Sequence, residues 1–293
     1  MKKACFIYNP MSGNRSLPKR LDYIIERFQE RGVLLQPYRL LIWDEGNVLE
    51  ILNNHSYDCL LVSGGDGTVN FIANVILKNG IDLPLGVIPS GTCNDFARNL
   101  GIPAPVNKCI DVILKENIIE VDAGLINEER YFLATCAAGQ FVDVSFSTDG
   151  NMKKNFGPPA YYIKALTSVA NIQPFTIKIE TESENIKEEV LLFVILNGRH
   201  AAGFNNLIDG TDIADGKMDI VLIKNCTHLD LAALFLKAVS SDPINDRNLR
   251  VIKARTCRIS GSKQILTSID GEKGYCLPLD ITFVNKALKV FAG

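Results

Sequence analysis

The sequence predicts an α/β amino-terminal domain, a parallel sheet with helices on both faces, followed by a mainly antiparallel β-sandwich domain. Three observations carry this. The first 122 residues alternate apolar strand-like runs with amphipathic segments, the pattern of parallel strands joined by helical crossovers. From about Asp122 onward the apolar runs follow one another through turns, with few helical stretches, as in an antiparallel sandwich. At 293 residues and 47% hydrophobic content, the chain can fill two such cores.

Residues 2–8 form the first strand of the amino-terminal domain. In 17–31, Leu21, Ile24, Ile25 and Phe28 recur at helical spacing among charges, and Gly32 ends the helix. A strand at 34–41, a helix at 46–54, a strand at 58–63, a helix at 70–78 and a strand at 83–89 follow. Residues 95–100 form a short helix stopped by Gly101 and Pro103, and 108–115 form another. In the second domain, 130–136, 175–181, 188–196, 217–223, 250–259 and 265–269 read as strands, and 161–170 and 229–240 as helices. No Pro/Gly/Ser-rich linker separates the domains, so they are expected to share a firm cleft holding the active site. Internal repeats and low-complexity tracts are absent from the sequence.

Composition narrows the function classes. A net charge of −2 and a pI near 6.0 give no general attraction to nucleic acid or to an anionic membrane; no nucleic-acid partner is expected. Eight cysteines lie scattered at 5, 59, 93, 109, 136, 226, 257 and 276, without a C-x-x-C pair. They read as reduced thiols of a cytoplasmic protein, not as a disulfide framework or zinc site. The apolar stretch before Asn9-Pro10 is too short for a signal-peptide core and reads as a buried strand. No run approaches the ~20 apolar residues of a membrane span, so any membrane contact is expected to be peripheral.

Three loops carry the chemistry. Residues 64–70 read Gly-Gly-Asp-Gly-Thr-Val-Asn, directly after the strand at 58–63 and before a helix. Glycines there let the backbone approach a bulky anion and adopt positive φ. Amides in such a turn, with the positive end of a helix behind them, suit phosphate, and Asp66 offers a hard oxygen to a nucleotide's magnesium. The first strand ends in Asn9-Pro-Met-Ser-Gly13, and the strand at 83–89 runs into Ser90-Gly-Thr-Cys-Asn-Asp-Phe96. Each loop alone reads equally as a turn or helix cap. In a parallel sheet, however, all three leave the same edge. Together they point to a nucleotide-phosphate handler, a kinase. Neither G-x-x-x-x-G-K-[ST] nor G-x-G-x-x-G after a strand is present, which excludes a P-loop NTPase and an ordinary dinucleotide-binding domain.

The second domain adds Asp270-Gly-Glu272 after the strand at 265–269, and the acidic turn Asp209-Gly-Thr-Asp212-Ile-Ala-Asp215-Gly-Lys-Met-Asp219. The first reads either as a hairpin turn, since Asp-Gly is a strong turn pair, or as a carboxylate that takes a proton in phosphoryl transfer. The second reads either as a solvated turn or as a magnesium or calcium site. The segment 150–162, with Lys153, Lys154, Phe156, Tyr161 and Tyr162, reads as a loop entering a helix or as an interfacial contact. His55, His200 and His228 have no ligand spacing, and Trp43 reads as a packing residue at the surface flank.

Taken in order and spacing, Asn9-Pro-x-Ser-Gly13, Gly64-Gly-Asp-Gly-Thr-Val-Asn70 and Pro89-Ser-Gly-Thr-x-Asn-Asp-Phe-Ala97 resemble the catalytic domain of diacylglycerol kinases, in particular the soluble bacterial lipid kinases. Val121-Asp-Ala-Gly124, Asn197-Gly198, Asp215-Gly216 and Asp270-Gly-Glu272 extend the resemblance over nearly the whole chain. The resemblance implies an ATP-dependent lipid kinase with ATP and Mg²⁺ as cofactors and a hydroxyl of diacylglycerol or a related lipid as acceptor. Nucleotide contacts would come from Asn9, Pro10, Ser12, Gly13, Gly64, Gly65, Gly67, Thr68, Val69, Asn70, Phe71, Ser90, Gly91, Thr92, Asn94 and Asp95. Asp66 would organise the metal and phosphates, and Glu272 would be the general base. Asp212, Asp215 and the Lys217 carbonyl would hold a structural magnesium. The last strand, 287–291, would return to the first domain, giving domains 1–122 plus about 284–293, and 123–283. Partners would be a membrane lipid, met peripherally, and a second copy in a homodimer.

Two departures stand out. Leu40, Leu41 and Ile42 occupy a stretch where many relatives place an ATP-contacting hydroxyl, and the segment 197–206 lacks the fuller glycine run and following proline of relatives. Two alternatives come from the same residues: a soluble-substrate kinase such as NAD kinase, which shares the Gly-Gly-Asp-Gly turn, and a nucleotide-binding regulatory module without catalysis.

Overall fold

A computed structural model describes residues 1–41, 43–53, 56–139, 173–240, 243–262 and 264–293. The helix expected at 161–170, the segment 150–162 and His55 lie outside these. The chain divides into two units, Met1–Val121 with Lys286–Gly293, and Asp122–Asn285. Strand β5 (Ile118–Ile126) carries the chain out of the first unit and β15 (Leu279–Phe291) carries it back.

The first unit is a parallel sheet in the order β15-β4-β3-β1-β2, built from β1 (Lys2–Tyr8), β2 (Val33–Arg39), β3 (Cys59–Gly64), β4 (Leu85–Pro89) and the end of β15. Buried runs such as Ala4–Tyr8 and Leu60–Gly64 explain why these strands read as continuous apolar stretches. Helix α1 (Leu21–Gln29) packs on β2, α3 (Asp66–Lys78) on β3, and α4 (Asp95–Asn99) and α5 (Val106–Ile113) on β4. Helix α2 (Glu45–Asn53) packs against α3. The single helix expected over 17–31 is a 3-10 turn, Leu17–Arg20, followed by α1; Pro18 occupies the start of that turn.

In the second unit, β9 (Asn185–Leu196) is the hub. Its first half pairs with β8 (Phe175–Thr181), and its second half with both β7 (Thr135–Gly139) and β10 (Met218–Lys224), all antiparallel. Strand β11 (Leu249–Ala254) extends from β10, β12 (Thr256–Ser260) joins β8 to β15, and β13 (Leu266–Ile269) joins β7 to β14 (Glu272–Cys276). Short β6 (Arg130–Phe132) pairs with β5. Among the described residues, one core runs through Phe132, Phe193, Ile195, Ile220, Ile259, Leu279 and Phe283, and a smaller one through Leu196, Ala201, Ile208 and Val221. One helix, α6 (His228–Ser240), follows β10.

Two expected strands are each split by a distant carboxylate. The run 250–259 breaks at Arg255, where Glu182 accepts the Arg255 and Thr256 amides at 2.7 and 3.2 Å. The run 130–136 breaks at Leu133 and Ala134, whose amides go to Asp270. A carboxylate that takes neighbouring N–H groups withdraws them from the ladder and turns the chain.

All eight cysteines are free thiols. Burial pushes Cys5, Cys109 and Cys257 up to about 12, so they pack as small apolar side chains.

Candidate active site

The three loops leave adjacent parallel strands at matched positions. Tyr8 of β1 lies opposite Ser63 of β3, and Gly64 of β3 opposite Pro89 of β4. The ladder then continues past the strand ends: the Asn9 amide donates to the Ser63 carbonyl at 2.8 Å and the Ser90 amide to the Gly64 carbonyl at 2.9 Å. Asn9, Ser12 and Gly13, then Gly64 to Thr68, then Ser90 to Asn94 thus meet on one sheet edge.

The glycines serve this meeting, which corrects part of the sequence reading. Gly64, Gly65 and Gly67 were expected to allow both close approach and positive φ, but only Gly13 of the site glycines has positive φ, at +53°. Gly64, Gly65 and Gly91 serve close approach instead. A Cβ on Gly13 would stand 1.9 Å from the Ser90 carbonyl oxygen, and one on Gly91 would stand 2.4 Å from Gly65 Cα. A Cβ on Gly64 would fall 2.3 Å from Thr68 Cβ. Loop packs on loop with no room for side chains, leaving backbone at the surface of the cradle.

Helix α3 begins at Asp66, four residues before the expected helix at 70–78, with Gly65 as its extended N-cap. Gly67, Thr68, Val69, Asn70 and Phe71 therefore lie within the helix, not in an open turn. Thr68, Val69 and Asn70 are buried, and the Thr68 hydroxyl accepts from Asn9 Nδ2 at 3.1 Å. The positive end of this 13-residue helix faces the glycine junction. Asp66 sits at that end, partly exposed, and its Oδ1 accepts the Phe96 amide at 3.2 Å, which draws the third loop against the second. Asn94, left-handed at φ +52°, holds its own loop: its Oδ1 accepts from the Gly91 amide at 2.8 Å and its Nδ2 donates to the Gly91 carbonyl at 3.0 Å. Asp95 is buried with Arg98 3.8 Å away, Pro10 is buried, and Thr92 is exposed. The cradle, with hydroxyls from Ser12 and Ser90 and one carboxylate at a helix N-terminus, fits a polyphosphate carrying a divalent cation.

Just past β2, in the stretch noted for lacking a hydroxyl, Leu40 is buried and Leu41 exposed. Trp43, 49% exposed, packs its ring on Phe71 with centroids 5.4 Å apart. The flank role expected of Trp43 is seen, and its partner belongs to the glycine-turn helix.

In the second unit, Asp270 and Glu272 behave differently. Asp270-Gly271 closes the β13–β14 hairpin with φ +47° and +83°, the two left-handed residues of a type I′ turn. Asp270 is buried, while Glu272 is exposed at the start of β14.

The acidic turn is organised by lysine and backbone. Lys253 Nζ lies 2.8 Å from the Gly210 carbonyl, 3.3 Å from Asp215 and 3.7 Å from Asp219. Asp215 Oδ1 accepts the Lys217 amide and Asp212 Oδ1 the Ala214 amide, both at 2.9 Å. Burial pushes the Asp219 carboxyl up to about 6, against the pull of Lys253. Among the described residues, no three His, Cys, Asp or Glu side chains converge. The expected ligands Asp212, Asp215 and the Lys217 carbonyl lie together on this one turn, and Lys253 reaches one of them, Asp215. Sequence reasoning missed Lys253; it was one of four basic residues in the expected strand 250–259, with nothing local to single it out.

Sequence reasoning also gave Asp122 no role. It is fully buried, accepting the Gly216 amide at 2.6 Å and Asn285 Nδ2 at 2.9 Å. Asn197, equally buried, donates from Nδ2 to the Asp122 and Leu133 carbonyls at 2.8 and 2.9 Å.

Residues 3–126 match the family model for the diacylglycerol kinase catalytic domain, and 136–292 match the YegS C-terminal NAD kinase beta sandwich-like domain. The chain is 30% identical over 291 residues to a diacylglycerol kinase of Staphylococcus saprophyticus, covering 99% of this chain and 95% of that one. It is 31% identical over 292 residues to a diacylglycerol kinase of Staphylococcus aureus (strain MRSA252), covering 99% and 92%. Among solved structures, a diacylglycerol kinase from Bacillus anthracis superposes with a TM-score of 0.82 at 25% identity, covering 100% of this chain and 97% of that one.

Proposed function

Because this chain belongs to the diacylglycerol kinase catalytic-domain family, a family of kinases, we propose that it is an ATP-dependent lipid kinase. It transfers the γ-phosphoryl of Mg-ATP to a hydroxyl of diacylglycerol or a related lipid. The observation that carries this reading is the packing of three glycine loops into one backbone cradle beside Asp66.

In this reading, loop amides and the hydroxyls of Ser12 and Ser90 bind the phosphates and hold them in line. Asp66 orients the metal, and Mg²⁺, when bound, offsets charge on the phosphate oxygens. Glu272 accepts the proton of the lipid hydroxyl as that oxygen bonds to the γ-phosphorus and the bond to the β–γ bridging oxygen breaks, releasing ADP. Glu272 suits the role better than Asp270, because its carboxylate is exposed while the other is enclosed by amides. The acidic turn has a structural role, with Lys253 as its cation. The lipid is met peripherally; no helix among the described residues is long and apolar enough to cross a membrane.

The test is Glu272→Gln. Transfer to vesicle diacylglycerol is expected to fall by about 10²–10⁴-fold, the usual worth of a general base, with ATP affinity unchanged. An unchanged rate removes Glu272 as the base.

A further inference from the structure

We propose that Asp270 is a positioning residue for Glu272, holding the hairpin that carries the base and tying it to the loop that begins at Asn197. This rests on the reading of Glu272 as the base.

A two-residue type I′ turn closes through its backbone, and asparagine or glycine would serve at its first position. Yet the Asp270 carboxylate is only 7% exposed and accepts three successive amides: Leu133 at 2.7 Å, Ala134 at 2.9 Å and Thr135 at 2.8 Å. The Asp270 amide returns a bond to the Thr135 carbonyl at 2.9 Å. Charge-assisted bonds are the strong ones; three of them, with one backbone bond, fasten the turn.

The fastened segment is itself gripped from its carbonyl side. The Asn197 amide donates to the Ala134 carbonyl at 2.9 Å and Asn197 Nδ2 to the Leu133 carbonyl at 2.9 Å. Residues 133–135 therefore act as a plate with Asp270 on its amide face and Asn197 on its carbonyl face. Gly198, Ala202, Gly203 and Asn206, all at positive φ, follow Asn197 in the loop. Among the described residues, the Glu272 carboxylate has no hydrogen bond of its own, so its place is set by the backbone. It pairs across the hairpin with Ile269, next to Asp270. The carboxylate anchor thus links the proposed base through residues 133–135 to the segment 197–206, beside the β13–β7 and β7–β9 ladders.

The experiment is a double-mutant cycle on the full chain with Asp270→Asn, Glu272→Gln and both, read with Mg-ATP and dioleoylglycerol vesicles. Asp270→Asn alone is expected to lower kcat about 10²-fold, as misplacing a catalytic group by ~1 Å does, with the KM for ATP unchanged. In the Glu272→Gln background the same change is expected to cost less than about two-fold, because the two act as one unit. Equal losses in both backgrounds overturn the proposal and leave the base reading standing. A Glu272→Gln enzyme as fast as the parent overturns both. Amide hydrogen exchange gives a readout without turnover: faster exchange at 133–135 in Asp270→Asn is expected, and unchanged exchange overturns the anchor. Asp270→Ser, with the same expectations, replaces Asp270→Asn if that variant does not fold.

Discussion

At the scale of single residues, the site is built from what is missing as much as from what is present. Gly13 combines φ +53° with a Cβ position 1.9 Å from the Ser90 carbonyl oxygen, so Gly13→Ala both strains the backbone and pushes two loops apart. It is expected to cost at least about 2 kcal/mol of stability and to weaken ATP binding, measured by denaturant unfolding and by titration. Trp43, the single tryptophan of the chain, offers a direct report on the same region, because its ring rests on Phe71 of α3. Mg-ATP is expected to change its emission saturably; a flat titration places the nucleotide away from this helix. The sequence made the glycine and asparagine positions readable because left-handed turns and helix entries leave a short-range signature. It did not reveal why Gly65 and Gly91 are glycines, since their contact spans 26 residues of chain. Asp270 was readable as a turn residue only; its three amide partners lie about 135 residues earlier.

At the scale of elements, hydrophobic periodicity located nearly every strand and helix of the first unit, because buried parallel strands and amphipathic helices repeat over short windows. It failed where distant side chains end an element. Glu182 divides β11 from β12 and Asp270 divides β6 from β7, and neither break is visible in local pattern. The hairpin strand β14 was missed because Glu-Lys-Gly-Tyr-Cys has no apolar alternation. The turn 209–217 was legible as acidic, but its cation was not, since Lys253 comes from β11. Lys253→Met is expected to lower stability by about 2–3 kcal/mol, less than a fully buried pair because its side chain keeps 37% exposure. EDTA is expected to leave the melting temperature of the parent unchanged. A clear fall on chelation means instead that a divalent ion holds this turn.

At the scale of the whole molecule, the change from alternating to strand-rich texture near Asp122 reflects two different ways of covering a sheet. Parallel strands need helical crossovers, whereas antiparallel strands cover one another. That contrast made the fold class legible, and the order of three loops made the family legible. The acceptor was not, because lipid and soluble substrates are told apart by side chains lining a pocket, which no short motif reports. The account stands or falls on that acceptor. Purified protein with γ-labelled Mg-ATP and mixed vesicles containing diacylglycerol measures it directly. The account predicts label in the lipid phase, dependent on both lipid and metal. Label transferred to NAD or a sugar phosphate, with none in any lipid, contradicts it.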